Sequence, residues 1–132
     1  MSPKTRKEIV ADFFHLIEMG RPKDGLKYFA VGCVQHNPYV SGGMKRLLDS
    51  MAVVQKEQSR NFANPSILLR HVLEEGDTMV VHTQILFSRD HPSEGGLRQA
   101  HIFRFGSGDK IVEYWDITQI IEKKMPQAAN AF

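Results

Sequence analysis

The sequence predicts an α+β domain in which helices come first and a curled antiparallel sheet follows. Three observations predict it. Apolar residues recur at helical spacing over residues 9–17 and again over residues 44–54; from Asn64 and Pro65 onward the period drops to two; and four alternating stretches then follow one another with only turn signals between them.

Ile9, Phe13, Leu16 and Ile17 form the apolar stripe of the first helix, flanked by Val10 and Phe14, with Lys7, Glu8, Asp12 and Glu18 on the other side. Ser2 before Pro3, or Thr5 three residues ahead of Glu8, marks its start, and Gly20 before Arg21 and Pro22 its end. A second, short helix is expected from about Pro22 to Ala30, packing Leu26 and Phe29, with Gly25 weakening it by about 1 kcal/mol relative to alanine. Val31 to Pro38 reads as an extended stretch, since a proline pushes the residue before it out of helical geometry. After Ser41, Gly42 and Gly43, a third helix aligns Met44, Leu47, Leu48, Met51 and Val54 and ends near Gln58.

Ile67, Leu69, His71 and Leu73 then alternate with Leu68, Arg70, Val72 and Glu74 up to a Gly76–Asp77 turn. Thr78 to Ser88, Leu97 to Phe105 and Lys110 to Ile121 are the next three strands of an antiparallel meander, with Gly106 to Asp109 as the last hairpin. A polar loop from Arg89 to Gly96 joins the middle pair, and the tail after Pro126 carries no strong signal.

A length of 132 residues fits one domain over residues 1–132 with one core, and 42% apolar residues suffice to fill it. Seventeen Lys and Arg against fifteen Asp and Glu leave a formal charge of +2, too small for a surface that grips phosphates, so no nucleic acid partner is expected. Cys33 is the single cysteine, which excludes an internal disulfide framework and fits a cytoplasmic setting. No apolar run approaches the length of a membrane span, and charges interrupt the apolar residues near the N-terminus.

A twisted sheet with helices on one side curls into a cone whose inner face the helices do not completely fill, leaving a pocket. The polar residues on strands are therefore the candidates for chemistry. On the strand from Thr78, the residues His82, Gln84 and Leu86 share one face and Val81, Thr83, Ile85 and Phe87 the other; the first set is assigned to the pocket and the second to an ordinary wall. On the next strand His101 shares the aromatic face of Phe103 and Phe105, opposite Ile102 and Arg104. Scarce water there would keep the imidazole neutral, with one free nitrogen to act as a general base near pH 7. Asp116, in the middle of an apolar strand, needs a partner; an imidazole is the preferred one, and solvent at an edge is the alternative. Trp115 is a core or pocket-wall aromatic, and Gln35, His36, Asn37 and Pro38 form a turn from which His36 can face the pocket. His15, His71 and His91 belong to no constellation.

These residues carry a resemblance. Gln35-His36-Asn37-Pro38, Gly76-Asp77 before the strand with His82, His101-Ile102-Phe103-Arg104, and Gly108-Asp109-Lys110-Ile111-Val112-Glu113-Tyr114-Trp115-Asp116 with Gln119 together resemble the SnoaL-like branch of the NTF2-like superfamily. The last segment is the specific part, and the likeness covers most of the chain. It implies an NTF2-like cone, usually dimeric, of a superfamily that includes polyketide cyclases and ketosteroid isomerase-like enzymes working without metal or organic cofactor. Two positions depart from the pattern. The family commonly has an acid–base aspartate where His101 stands, and a histidine where Tyr114 stands, so Asp-specific ring closure does not carry over.

The expected function is binding of a small apolar, cyclic carbonyl compound with cofactor-free proton transfer, as an isomerase or aldol-type cyclase. His101 is the expected base, His82 or Asp116 the relay or orienting group, and His36, Gln84, Phe103, Tyr114 and Trp115 the remaining pocket residues. The alternative is a noncatalytic ligand-binding or dimeric scaffold protein. A metal site of His36, His82 and His101 has the right ligand type but lacks a local two-histidine motif, so no metal is assigned. Val81, Ile85 and Ile102 are expected on the outer face of the sheet, where a homodimer would cover them.

Overall fold

The computed structural model describes residues 3–58, 66–90 and 95–131. The Ser2 start signal, the break at Asn64–Pro65 and His91 lie outside the described residues.

Helix α1 spans Arg6–Glu18, and it starts where Thr5 and Glu8 close a reciprocal capping box. Its stripe of Ile9, Val10, Phe13, Phe14, Leu16 and Ile17 is buried. The following segment, Pro22–Tyr28, is a 3₁₀ helix (η1) rather than an α-helix. Gly25 explains how close it runs: a Cβ there would lie 2.8 Å from the Phe13 ring. Leu26, expected to pack inward, is exposed, and Tyr28 takes that place, buried and hydrogen-bonded to Asp12.

Strand β1, Phe29–Gln35, is the extended stretch, and it joins the sheet. It pairs parallel to β5, Ile111–Ile121, with Gln35 opposite Tyr114. The pairing shifts register between Phe29 and Val34, where Gly32 adopts a positive φ of 80° that a side chain would disfavour. Helix α2 covers Met44–Gln58 with Met44, Leu47 and Leu48 buried. Strands β2 (Ser66–Glu75), β3 (Thr78–Leu86), β4 (Gly96–Phe105) and β5 form the expected antiparallel meander, so the five-stranded mixed sheet runs β1-β5-β4-β3-β2.

The core lies between α1 and the concave face. Phe13 sits at its centre, its ring 5.3–6.3 Å from those of Phe14, Phe29, Phe103 and Tyr114 in tilted or edge-on contacts.

Register decides which residues face that core. Directly paired residues project to the same side of an antiparallel ladder, and Val81 pairs with His101 while His82 pairs with Ala100. His101 and Phe103 are buried against the helices, so Met79, Val81, Thr83 and Ile85 face inward with them. His82 and Gln84 therefore lie on the outer face, contrary to their assignment to the pocket, and Val81 and Ile85 are not on the outer face. Alternation within one strand sets which residues go together; only the pairing to a neighbour sets which set goes in.

Candidate functional site

The helices seal the concave face as far as His101 and leave it open beyond. There the sheet, α2 and the turn after β1 enclose a cavity of about 850 Å³. Its walls are largely apolar, with Phe14, Ile17, Met51, Val54, Ile85 and Leu97 among them. Val54, half exposed on the predicted stripe, is a wall of this cavity rather than a core residue.

His101 forms part of the cavity floor and is 2% exposed. Its Nε2 lies 2.9 Å from Gln99 Oε1 and 3.2 Å from Thr83 Oγ1, and its Nδ1 lies 2.7 Å from the Tyr114 hydroxyl. Gln99 Nε2 donates to Thr118 Oγ1 at 3.0 Å, which fixes the Gln99 oxygen towards the histidine. Nε2 must then carry the ring proton and donate it, and Nδ1 accepts from Tyr114. Burial takes the His101 pKa down to about 3 and raises that of Tyr114 well above its ordinary value, an effect the Asp116 charge reinforces. Neither nitrogen of this neutral ring is free. The geometry thus corrects the expectation of a base with an open nitrogen: His101 is a structural member of a polarised chain running from Tyr114 to Thr118.

Asp116 stands opposite His101 in the β4–β5 ladder and shares its face. Its partner is an amide, not an imidazole: Asn37 Nδ2 donates to Oδ2 at 2.9 Å. Oδ1 is buried and has no hydrogen-bond partner, and the residue lines the cavity. The turn that delivers Asn37 is held from both ends. Gln35 Nε2 donates to the Val40 and Gly42 carbonyls, Gln35 Oε1 accepts from the Asn37 backbone, and Asn37 Oδ1 accepts from the Tyr39 backbone.

The remaining expected residues divide by face. His36 stacks on Trp115 with ring centroids 4.5 Å apart, and both border the cavity mouth. His36 Nε2 meets Glu113 Oε2 at 2.7 Å while Arg104 holds Glu113 Oε1 at 2.8 Å; these contacts, with His36 first, keep the Glu113 carboxyl below its ordinary value. Phe103 and Tyr114 are completely buried beneath the cavity rather than lining it. His82 stacks on His71 with an Nδ1–Nδ1 distance of 3.1 Å on the outer face. Partial burial and the His71 charge lower its pKa. Because His82 and His101 point to opposite sides of the sheet, the three-histidine metal site does not assemble.

Sequence reasoning missed Asn37 as the partner of Asp116, Gln99 and Thr118 as links to His101, and Gln55. The last had a readable signal, since Gln55 continues the Met44, Leu48, Met51 stripe of α2.

The family model for the SnoaL-like domain matches residues 10–114. The chain belongs to the SnoaL-like family. Solved structures agree on the fold of this SnoaL-like domain. An NTF2-like protein of unknown function from Cytophaga hutchinsonii superposes with a TM-score of 0.65 at 13% identity, covering 89% of this chain and 93% of the other. A SnoaL-like protein of unknown function from Burkholderia thailandensis gives 0.67 at 11%, covering 89% and 99%. SalBIII, an epoxide hydrolase/cyclase-like enzyme of pyran ring formation in the polyether salinomycin, gives 0.61 at 17%, covering 86% and 90%. Among curated proteins none matches in sequence. No helix among the described residues is long and apolar enough to cross a membrane.

Proposed function

We propose that this SnoaL-like domain binds a small, largely apolar cyclic carbonyl compound and transfers a proton on it, with Asp116 as the general base. The observation that carries the reading is the unpartnered, buried Oδ1 of Asp116, a residue that lines an apolar cavity. A carboxylate so placed can take the acidic proton beside a carbonyl, with the C–H electron pair passing into the enolate. Asn37 holds the other oxygen and so aims the group. Thr118 is on the same face of β5 about 7 Å along the strand; it accepts from Gln99, so its own hydroxyl proton is available to an enolate oxygen. Returning the proton to another carbon gives an isomerase, and attack of the enolate on a second carbonyl gives an aldol-type ring closure.

His101 serves this site by position, holding the floor through Tyr114 and Gln99. The proposed setting is a reducing cytoplasm, where the buried Cys33 stays a thiol, its pKa pushed up to about 11 chiefly by burial.

The test is Asp116→Asn, which keeps the shape of the group, assayed on cyclic ketones and polyketide-like carbon acids. Turnover should fall about hundredfold to ten-thousandfold while ligand affinity stays within a few fold. Binding by both proteins with turnover by neither would replace the enzyme with the noncatalytic ligand-binding reading.

A further inference from the structure

Among the described residues, two buried side-chain polar atoms have no hydrogen-bond partner: Asp116 Oδ1 and Gln55 Oε1. Both residues line the same cavity, one from the sheet and the other from α2. The proposed chemistry uses the first and leaves the second unexplained.

Gln55 is not free to turn its amide around. Its Nε2 donates to the Ile17 carbonyl at 2.6 Å, and the reverse orientation would set oxygen against oxygen. The unmatched atom is therefore an acceptor. It also stands on an apolar stripe, where Met44, Leu48 and Met51 precede it on the same face. The hydrogen bond to Ile17 alone does not account for a polar side chain there, because the Gly20 backbone already donates to that carbonyl at 3.0 Å. A buried acceptor without a donor is unfavourable, and a ligand lacking donors would leave it so.

We infer that Gln55 is a specificity-determining residue whose Oε1 accepts a hydrogen bond from a hydroxyl group of the ligand, so that the ligand class is a hydroxylated cyclic carbonyl compound rather than a plain ketone or hydrocarbon. This rests on the cavity being the ligand site. Asp116 meets the carbon acid at one end of the molecule, and Gln55 reads a hydroxyl elsewhere on it.

Trp115, the sole tryptophan, borders the cavity, so its fluorescence reports binding. The probes are cyclohexanones carrying hydroxyalkyl side chains of increasing length, each beside its methyl ether, which keeps an oxygen acceptor but has no donor. At the best chain length the alcohol should bind about five- to tenfold tighter than its ether. In Gln55→Met, which keeps the length of the side chain without its acceptor, alcohol affinity should fall to that of the ether while ether affinity stays within about twofold. A wild-type ratio near one, or the full preference persisting in the variant, overturns the inference and leaves the ligand site standing. If the variant binds neither compound, the wild-type ratio alone decides. Failure of every probe to bind the wild-type protein is a different result: it removes the ligand site, and the inference with it.

Discussion

His101 and Asp116 face each other across the β4–β5 ladder, yet their situations are opposite. The imidazole has every ring nitrogen matched, whereas the carboxylate, on a residue that lines the cavity, has one oxygen held and one buried and unmatched. This is why the proposed role of base falls to the aspartate and not to the histidine. The histidine has a measurable consequence of its own. Its folded pKa of about 3 lies below the ordinary 6.5, so the unfolded chain binds the proton more readily. The stability associated with the neutral ring is fully present above pH 6.5 and is lost as pH falls towards 3, at most about 1.4 kcal/mol per pH unit. Urea midpoints taken between pH 7 and 4 should therefore fall more steeply for the wild-type protein than for His101→Gln. Parallel slopes would show that the ring is not held neutral.

At the scale of elements, η1 is fixed by contact with α1. An alanine at Gly25 would bring its methyl to 2.8 Å from Phe13, a ring that is itself fully buried among other aromatics. Removing a glycine usually stabilises by restricting the unfolded chain, by about 0.4–1 kcal/mol, but overpacking a filled core costs about 1–3 kcal/mol. Gly25→Ala should thus lower the unfolding free energy by roughly 1 kcal/mol in urea titration; an equal or higher value would mean that the ring can yield. The same elements show what was legible in the sequence. Capping residues, the stripes of α1 and α2 and the alternation of β3 and β4 depend on local spacing, and all were readable; in β2 a register shift between Leu69 and His71 breaks the expected alternation, and a shift opposite Arg104 and Phe105 breaks it in β5. The parallel pairing of β1 with β5 joins segments about 80 residues apart, as the Gln35–Tyr114 pair shows, and no local pattern encodes it. The faces of His82 and Gln84 were misread for a related reason: they follow from the offset between β3 and β4, which periodicity leaves free. Asn37 was in view as part of a turn, but its contact with Asp116 depends on that same distant pairing.

At the scale of the molecule, the proposed homodimer concerns the outer face of the sheet. With Val81 and Ile85 turned inward, its apolar residues include Leu73, Val80, Ile102, Trp115 and Ile117, of which Trp115 and Ile117 also reach the border of the cavity and Ile117 is 58% exposed. Ile102 and Trp115 are directly paired across β4 and β5 and Ile117 is two residues further along, so the three form one patch. Around it lie Arg104 paired with Glu113 and the His71–His82 stack, which gives an apolar centre with polar surroundings. A second copy turned by a twofold axis would bury the same patch on both subunits and satisfy it with no other partner. The proposed homodimer should sediment as such at micromolar concentration. Ile117→Lys sets a charge in that contact at an exposed residue that also borders the cavity but lies outside the buried core, so it should give a folded monomer with an unchanged unfolding transition in dilute solution. A wild-type protein that sediments as a strict monomer removes the dimer, and a variant that remains dimeric moves the interface off this face.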